Sequence, residues 1–356
     1  MQLESARALK QELLGTIVNP FALETTRVRV AGARAVARGG ASEVFGVQAR
    51  PVHAVQAVLR SVAIGVAPKG RDFRVAVRVQ RQGLRDSPLV DRIRAEARGE
   101  VDLRVVGRID KRIVTRPLAA APWYRRRQRP LQIGASIGHV DVTAGTIGAF
   151  VSSRGVTCVL SNNHVLANED LASRGDAIVQ PGTFDGGQAP RDRVATLTRW
   201  VRLKPTGVNL VDAAIARVER GIEVDPTGLR DLVGGRDRVL AGAGDEFIDA
   251  GTDVFKVGRT TGARKGRVTA FDLDNVVVGF DIGNIRFDDQ IEIEGAGRRA
   301  FSDGGDSGSL IVDSDMQAVA LLFAGSESGG SNGLGLTYAN PIHEVLSALR
   351  VELRLR

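Results

Sequence analysis

The most constraining feature of this chain is the stretch from about residue 133 to residue 349, where short apolar runs alternate with glycine-marked turns. The runs are too short for helices and show hardly any 3.6-residue periodicity. Many short strands with frequent turns are typical of β-barrels and β-sandwiches. The clearest predicted strands are 148–151, 156–160, 213–218, 276–280, 310–312 and 319–323.

The residues before this stretch have a different pattern. An apolar stripe predicts a helix over about residues 3–14. Apolar and polar side chains alternate over residues 73–80, as in a half-exposed strand, and a second predicted helix follows. We therefore expect a small α+β domain over residues 1–115. Prolines and arginines then indicate a basic linker over residues 116–132.

Composition excludes several classes of protein. Cysteine occurs once, as Cys158, which excludes an internal disulfide and argues against a cysteine-based metal site; we expect no metal and no cofactor. No apolar run approaches the roughly 18 residues that a membrane helix needs. The first 15 residues carry several charges and lack the apolar core of a signal peptide. These features predict a cytoplasmic protein without membrane association.

Charge is distributed unevenly along the chain. The net charge is +8, but residues 1–130 hold 26 Lys+Arg against 11 Asp+Glu, and residues 131–356 hold 23 against 30. The basic half would attract an acidic partner, or it would be neutralised by the acidic half of the same molecule. No nucleic-acid motif accompanies the charge, so we do not expect a nucleic-acid partner. An acidic partner of the basic half and a homo-oligomer stay open.

Three side chains stand in positions suited to acyl transfer. His164 follows a predicted strand, Asp212 opens an apolar strand, and Ser307 lies in a glycine-flanked turn. A serine hydroxyl is a weak nucleophile and needs a neighbouring base, and histidine suits this role because its ordinary pKa lies near 6.5. A carboxylate holds the histidine in the right tautomer. We assign the N–H donors for the developing oxyanion to Gly305 and Ser307.

The order of these residues narrows the class further. It runs His…Asp…Ser with gaps of 48 and 95 residues, unlike the orders of α/β-hydrolases and subtilisins. Asp192, Asp225 and Asp306 compete as the carboxylate. We favour Asp212 because an apolar strand follows it directly.

Order, β-rich surroundings and motifs together resemble the chymotrypsin/trypsin family, and most specifically the narrow-leaf-type trypsin-like peptidases of plants and their bacterial relatives. The resemblance covers about residues 133–349, and the preceding α+β part shares it more weakly. The motifs that carry it are Leu160-Ser161-Asn162-Asn163-His164-Val165-Leu166, Lys256-Val257-Gly258-Arg259-Thr260-Thr261-Gly262, Phe301-Ser302-Asp303-Gly304-Gly305-Asp306-Ser307-Gly308-Ser309 and Leu321-Leu322-Phe323-Ala324-Gly325-Ser326.

This resemblance implies a mainly β fold, a chymotrypsin-like double β-barrel preceded by the small α+β domain. The first barrel would span about residues 133–245, the second about 246–340, and a C-terminal helix 341–349. It also implies a bacterial, intracellular serine endopeptidase with a regulatory role, which acts on protein or peptide substrates through an acyl-enzyme. In that case His164 is the general base, Asp212 orients it, and Ser307 is the nucleophile.

The same resemblance places the substrate pocket. Its floor would lie near Phe301 and one wall near Phe323, Ala324 and Gly325. No acidic residue stands at the position of Phe301, so we expect an apolar or small substrate side chain rather than Lys or Arg.

The sequence departs from secreted trypsins in one consequential way. It has no convincing Ile-Val-Gly-Gly start, whose freed amine would pair with Asp306 after cleavage. A buried carboxylate without a partner would be costly. We therefore predict that Asp306 accepts hydrogen bonds from local backbone or side-chain donors, and that the chain folds active without cleavage. We interpret residues 258–262 as a structural turn rather than as an anion-binding loop.

Two other functions fit the same residues. One is a catalytically silent trypsin-like domain used for binding, although such domains usually lack a triad member and none is missing here. The other is a peptidase that its basic N-terminal half brings to a target.

Overall fold

The computed structural model describes residues 1–20, 62–111, 121–245 and 251–356. The predicted domain end at residue 115, the start of the predicted linker and the predicted barrel boundary at residue 246 lie outside these ranges.

The N-terminal part packs two helices against a small sheet. Leu13, Ile64, Val77 and Ile93 are buried in one apolar cluster, which explains the periodicities of both helices and strands. Ser87 caps the helix that begins at Pro88, because its Oγ accepts the Val90 N–H at 3.4 Å. The elements are α1 (Leu3–Leu13), a π-helical turn (Leu14–Val18), β1 (Val62–Lys69), β2 (Asp72–Val79), α2 (Gln82–Arg85), α3 (Pro88–Glu96), β3 (Val101–Val105) and β4 (Ile109–Asp110).

The next sheet is antiparallel. A short strand, β5 (Leu131–Gln132), precedes this sheet and lies outside it. The strands of the sheet are β6 (Ser136–His139), β7 (Gly145–Thr146), β8 (Ala149–Ser153), β9 (Val156–Ser161), β10 (Ala177–Val179), β11 (Arg193–Trp200) and β12 (Ala214–Val218), with a helical turn α4 (Asn163–Leu166) after β9. They pair in the order β8-β9-β12-β11-β10-β6-β7, and a C-terminal strand β25 (Glu352–Leu353) adds to β8. Among the described strands no pairing joins β7 to β8, so this sheet is a half-barrel.

Four short strands lead from the half-barrel to the second barrel. Leu229, Leu232 and Leu240 pack into the core of the half-barrel. The strands are β13 (Val224–Asp225), β14 (Gly228–Val233), β15 (Arg236–Val239) and β16 (Gly242–Ala243).

The second barrel is closed. Its elements are β17 (Asp253–Gly258), β18 (Gly262–Asp274), β19 (Val276–Phe280), β20 (Gly283–Phe287), β21 (Gln290–Gly295), β22 (Leu310–Val312), β23 (Gln317–Ser326), β24 (Thr337–Pro341) and the helix α5 (Ile342–Leu349). Of the described strands, six form a ring in the order β17-β18-β21-β24-β23-β22, and β22 pairs back with β17. Strands β19 and β20 form a hairpin outside the ring.

The N-terminal sheet continues the wall of the second barrel. Ile64 in β1 lies opposite Asp274 at the end of β18, so β1 extends the barrel sheet by antiparallel pairing. The Arg78 guanidinium binds the Glu292 carboxylate with two hydrogen bonds, of 2.6 and 2.8 Å, and both side chains are fully buried.

The predicted mainly β fold, a chymotrypsin-like double β-barrel preceded by a small part that contains helices, is confirmed. The C-terminal helix begins at Ile342 and ends at Leu349, close to the predicted bounds. The division into domains at the predicted residues stays a prediction.

Candidate active site

The three predicted residues lie where the two barrels meet. His164 is in α4, directly after β9. Asp212 precedes β12, the neighbour of β9 in the half-barrel. Ser307 lies in the turn between β21 and β22 of the second barrel.

The structure brings His164 and Asp212 together. A short hydrogen bond joins His164 Nδ1 and Asp212 Oδ2, and the backbone N–H of His164 donates to Asp212 Oδ1 at 3.2 Å. Asp212 is fully buried and is itself held at both ends of its backbone. Its N–H donates to Asn340 Oδ1 at 2.9 Å, and its carbonyl accepts from Asn162 Nδ2 at 2.7 Å. The carboxylate can therefore hold the imidazole ring in one orientation.

The rival carboxylates have other partners. Asp192 accepts hydrogen bonds from Arg191 at 2.7 and 2.9 Å, and Asp225 accepts the Gly228 N–H at 2.8 Å. Asp306 pairs with Lys256. Of the four candidates, Asp212 is the one that contacts His164.

The turn that carries Ser307 is fastened to the half-barrel next to α4. The Ser307 carbonyl accepts the Thr146 N–H at 2.8 Å, and Thr146 Oγ1 donates to the Gly305 carbonyl at 2.9 Å. Gly145 fits between the two parts. A Cβ placed on it would lie 2.4 Å from Val165 Cγ2 and 3.0 Å from Ser307 O. The turn that carries Ser307 and the segment that carries His164 thus pack against each other at Gly145, a position that has no room for a side chain.

No hydrogen bond joins the Ser307 hydroxyl to His164 in the described part of the chain. The hydrogen bonds of His164 there are those to Asp212, and the Ser307 hydroxyl makes none. The two residues are 7% and 5% exposed, so solvent reaches the site. Such bonds are often long in enzymes without substrate.

Two backbone N–H groups of the turn are unpaired. In the described residues, the N–H groups of Gly305 and Ser307 donate to no protein acceptor, whereas Asp306 donates to Asp303 O and Gly308 to Leu322 O. Unpaired N–H groups in buried residues are rare. Gly305 adopts φ +93°, a conformation that favours glycine, and this conformation shapes the turn around Ser307. The pair can receive an anionic oxygen.

Asp306 has the local donors that the sequence predicted. Lys256 Nζ lies 2.9 Å from its Oδ2, and both side chains are fully buried. The N–H groups of Thr260 and Thr261 donate to Oδ1 at 2.8 and 3.1 Å, and the Thr261 hydroxyl donates to Oδ2 at 2.7 Å. Residues 258–262 therefore form the turn between β17 and β18, and the anion that this turn binds is Asp306.

Burial works against the charge of Asp306, but its partners outweigh burial. Desolvation alone would raise the pKa of Asp306, and the ammonium of Lys256 with the surrounding donors lowers that pKa below its usual range. The carboxylate is therefore ionised at neutral pH and keeps its donors in place.

The predicted pocket residues are split between two apolar clusters. Phe301 is buried with Ile293 and Leu322 in the core of the second barrel. Phe323 and Ala324 belong to another cluster, which also contains Ile109 of β4. Gly325 pairs with Asp110. A pocket with Phe301 as its floor stays a prediction.

The site also contains residues that the sequence analysis missed. Thr146 holds the turn with two hydrogen bonds, and Asn162 and Asn340 each hold the backbone of Asp212 with one. Such contacts leave no local pattern in the sequence. The sequence could have indicated the role of Lys256, because a lysine inside the apolar strand β17 of an arginine-rich chain needs a buried acidic partner.

No protein-family model matches this chain, and no curated protein matches it. The chain is similar in structure to Thermobifida fusca protease A, with 19% identity, a TM-score of 0.45 and coverage of 64% of this chain and 99% of that one. It is similar to a glutamic-acid-specific serine protease with 23% identity, a TM-score of 0.45 and coverage of 63% and 100%. Nocardiopsis protease gives 18% identity, a TM-score of 0.45 and coverage of 63% and 98%.

None of the helices in the described residues is both long and apolar enough to span a bilayer.

Proposed function

We propose that this protein is a serine endopeptidase that hydrolyses peptide bonds through Ser307, His164 and Asp212. The observation that carries the proposal is the pair of unpaired N–H groups, of Gly305 and Ser307, on a turn fastened beside the His164–Asp212 pair. A nucleophile, a base with its orienting carboxylate and oxyanion donors are the parts that acyl transfer needs.

In this proposal each group has one role. His164 takes the proton of the Ser307 hydroxyl as the oxygen attacks the substrate carbonyl, and it later gives that proton to the leaving amine. Asp212 holds the ring and stabilises the imidazolium. The N–H groups of Gly305 and Ser307 bind the oxyanion, and water then hydrolyses the acyl-enzyme.

The Lys256–Asp306 pair supports activity without prior cleavage. Lys256 supplies the buried cation that a freed N-terminal amine would otherwise supply, and it is part of the folded chain. The turn around Ser307 can therefore form as the chain folds.

The resemblance to narrow-leaf-type peptidases supports a bacterial and cytoplasmic setting and a regulatory role, and these remain part of the proposal. An acidic partner of the basic half and a homo-oligomer remain open within it.

A peptide library tests the proposal. We expect wild-type protein to generate new peptide termini during prolonged incubation, as read by mass spectrometry, and Ser307→Ala to generate none while it keeps the same circular dichroism spectrum and thermal midpoint. Equal cleavage by both proteins, or none by a folded wild type that also ignores a serine-directed probe, would contradict it.

A catalytically silent binding domain is the second candidate. The lack of a hydrogen bond between Ser307 and His164 in the described residues favours it. A fluorophosphonate probe separates the two functions, because an adduct on Ser307 requires an activated hydroxyl.

A further inference from the structure

The strand β4 lies on the same edge of β23 as the nucleophile turn. Gly325 pairs with Thr337 of β24 on one side and with Asp110 of β4 on the other. Leu321 pairs with Asn340 of β24 on one side and with Leu310 on the other. Strands β4 and β22 therefore follow each other along the edge of β23 that faces away from β24.

Ser307 lies between these two strands along that edge. The N–H of Gly308 donates to Leu322 O at 2.8 Å, and the N–H of Leu322 donates to Ser309 O at 3.0 Å. Leu322 is three residues before Gly325, a distance of roughly 10 Å along a strand. The end of β4 thus comes close to the residues that hold the nucleophile.

The direction of β4 is that of a strand running toward Ser307. Ile109 lies opposite Ser326, and Asp110 lies opposite Gly325, so the chain advances along β23 in the direction of Leu322. An extended peptide in the same register and two or three residues longer would reach Ser307. Addition of a strand to an open sheet edge is a common way to bind a peptide.

A second strand covers the other side of β4. Gly279 of β19 pairs with Asp110 in parallel, and the Lys111 N–H donates to Gly279 O at 3.3 Å. The β19–β20 hairpin also contacts the active site, because the Phe280 ring packs edge-on against the His164 ring with centroids 5.8 Å apart. We call the space between β19 and β23 the slot.

The side chains of Ile109 in β4 and of Lys111, which follows β4, are also bound in the slot. Ile109 is 1% exposed and lies in the apolar cluster of Phe323 and Ala324. Lys111 forms ion pairs with Glu169, five residues after His164, and with Asp281 at the tip of the hairpin. Glu169 is buried, and its other oxygen accepts the N–H of Ile282, also at the hairpin tip, at 3.0 Å.

We infer that the slot between β19 and β23 is the binding site for an extended polypeptide substrate, with Glu169 and Asp281 as a subsite for a cationic side chain, and that β4 occupies this slot within the same chain. The inference rests on the proposed function. The substrate it names has an apolar residue where Ile109 lies and Lys or Arg two residues further on. A second consequence is that an extended peptide must displace β4 before it is cleaved.

The first experiment releases β4. Lys111→Ala removes the ion pairs of Lys111 with Glu169 and Asp281. We expect the rate of peptide hydrolysis to rise at least about tenfold, which corresponds to 1.4 kcal/mol less docking energy. Lys265→Ala is the matched control, because its pair with Asp253 at 2.6 Å is half exposed and far along β18 from the slot, and it should leave the rate unchanged. Ile109→Asp is the second variant, because a charge in the apolar cluster expels β4 even if Lys111 contributes little.

The second experiment tests the subsite. In the Lys111→Ala background, paired peptides with Lys or Gln at the subsite position should differ at least about tenfold in kcat/KM, and Glu169→Gln with Asp281→Asn should abolish the difference. A synthetic peptide of residues 106–111 should inhibit the Lys111→Ala protein competitively.

Labelling of Ser307 by a small fluorophosphonate is measured in every variant, because such a probe does not need the slot. Labelling without a rate increase in Lys111→Ala and Ile109→Asp, or without a preference for Lys over Gln, would overturn the inference and leave the proposed function intact. Loss of labelling in wild type would contradict the proposed function itself.

Discussion

At the scale of single residues, the proposed mechanism depends on Asp212 as the partner of His164. Its carboxylate is fully buried and bonds both the ring and the backbone of His164. Asp212→Asn keeps the shape of the side chain but favours the wrong tautomer of the imidazole. We expect the labelling rate at Ser307 to fall by roughly 10³- to 10⁴-fold with little change in stability. Unchanged labelling kinetics would show that Asp212 does not assist His164.

Lys256 is the second residue whose role can be isolated. Lys256→Met leaves the fully buried Asp306 without its cation, and we expect the free energy of unfolding to fall by about 3–5 kcal/mol. Denaturant titration measures this loss. In the double variant Lys256→Met with Asp306→Asn, stability should largely return while labelling of Ser307 stays slow, because the donors no longer have an anion to organise the turn. Normal labelling in the double variant would show that the reactivity of Ser307 does not need the Lys256–Asp306 pair.

The surroundings of Asp289 predict that the stability of the folded protein depends on pH. Burial, followed by the nearby carboxylates of Asp272 and Glu344, raises the pKa of Asp289 from 3.8 to about 7. A raised carboxyl pKa means that the folded state binds more protons than the unfolded state between these two values, so its contribution to stability is lost as pH rises through that window.

Asp289→Asn removes this loss, and Asn also tolerates the φ of +60° at this position. We expect its thermal midpoint to exceed that of wild type by at least about 2 °C at pH 8, with the gain shrinking toward pH 4. A gain that is constant with pH would contradict the pKa of Asp289.

At the scale of elements, the close contact of the Ser307 turn with α4 requires Gly145. In Gly145→Ala the new Cβ would meet Val165 Cγ2 at 2.4 Å, so the turn or the histidine segment must move. We expect labelling of Ser307 to slow by at least about tenfold with the fold retained, as a small displacement at a catalytic centre has large effects. Gly83→Ala is the control. It lies in α2 with nothing within 4 Å, and it should label at the wild-type rate.

The elements also show what the sequence can and cannot predict. Short apolar runs predicted strands such as β19 and β22, and apolar periodicity predicted the helix α5. These elements are predictable because the polarity of each residue reflects whether its side chain is buried. Pairing between distant segments produces no comparable pattern in the sequence of either segment. The joining of β1 to β18, and of β4 to β19 and β23, therefore appears only in the structure.

The site divides in the same way. His164, Asp212 and the turn around Ser307 could be proposed from residue type, order and spacing, because their chemistry needs those side chains. The sequence predicted that Asp306 has local hydrogen-bond donors, but it did not identify Lys256 as one of them. The pocket assigned to Phe301 and Phe323 stays a prediction, and the structure buries the two rings in different apolar clusters.

At the scale of the whole molecule, ion pairs between the basic and acidic halves hold the N-terminal sheet to the second barrel. Arg78 and Arg104 from the first half pair with Glu292 and Glu294 in β21. Part of the positive charge of the N-terminal half is thus neutralised inside the molecule.

This arrangement predicts that the described parts unfold together. Arg78→Met strands the buried Glu292 carboxylate, and we expect one calorimetric transition whose free energy of unfolding is about 3–5 kcal/mol lower than in wild type. Arg94→Met breaks an exposed pair with Asp91 and should change stability by less than about 0.5 kcal/mol. Two separate transitions, with Arg78→Met affecting just the first, would instead indicate an independent N-terminal domain.

The proposed function depends on activation of the Ser307 hydroxyl by His164, and mass spectrometry of the fluorophosphonate-treated protein measures this activation. We expect one adduct, mapped to Ser307 in wild type, absent from Ser307→Ala and formed at least about 1000-fold more slowly in His164→Ala. A folded wild-type protein that remains unmodified, or an adduct that forms equally fast without His164, would contradict it.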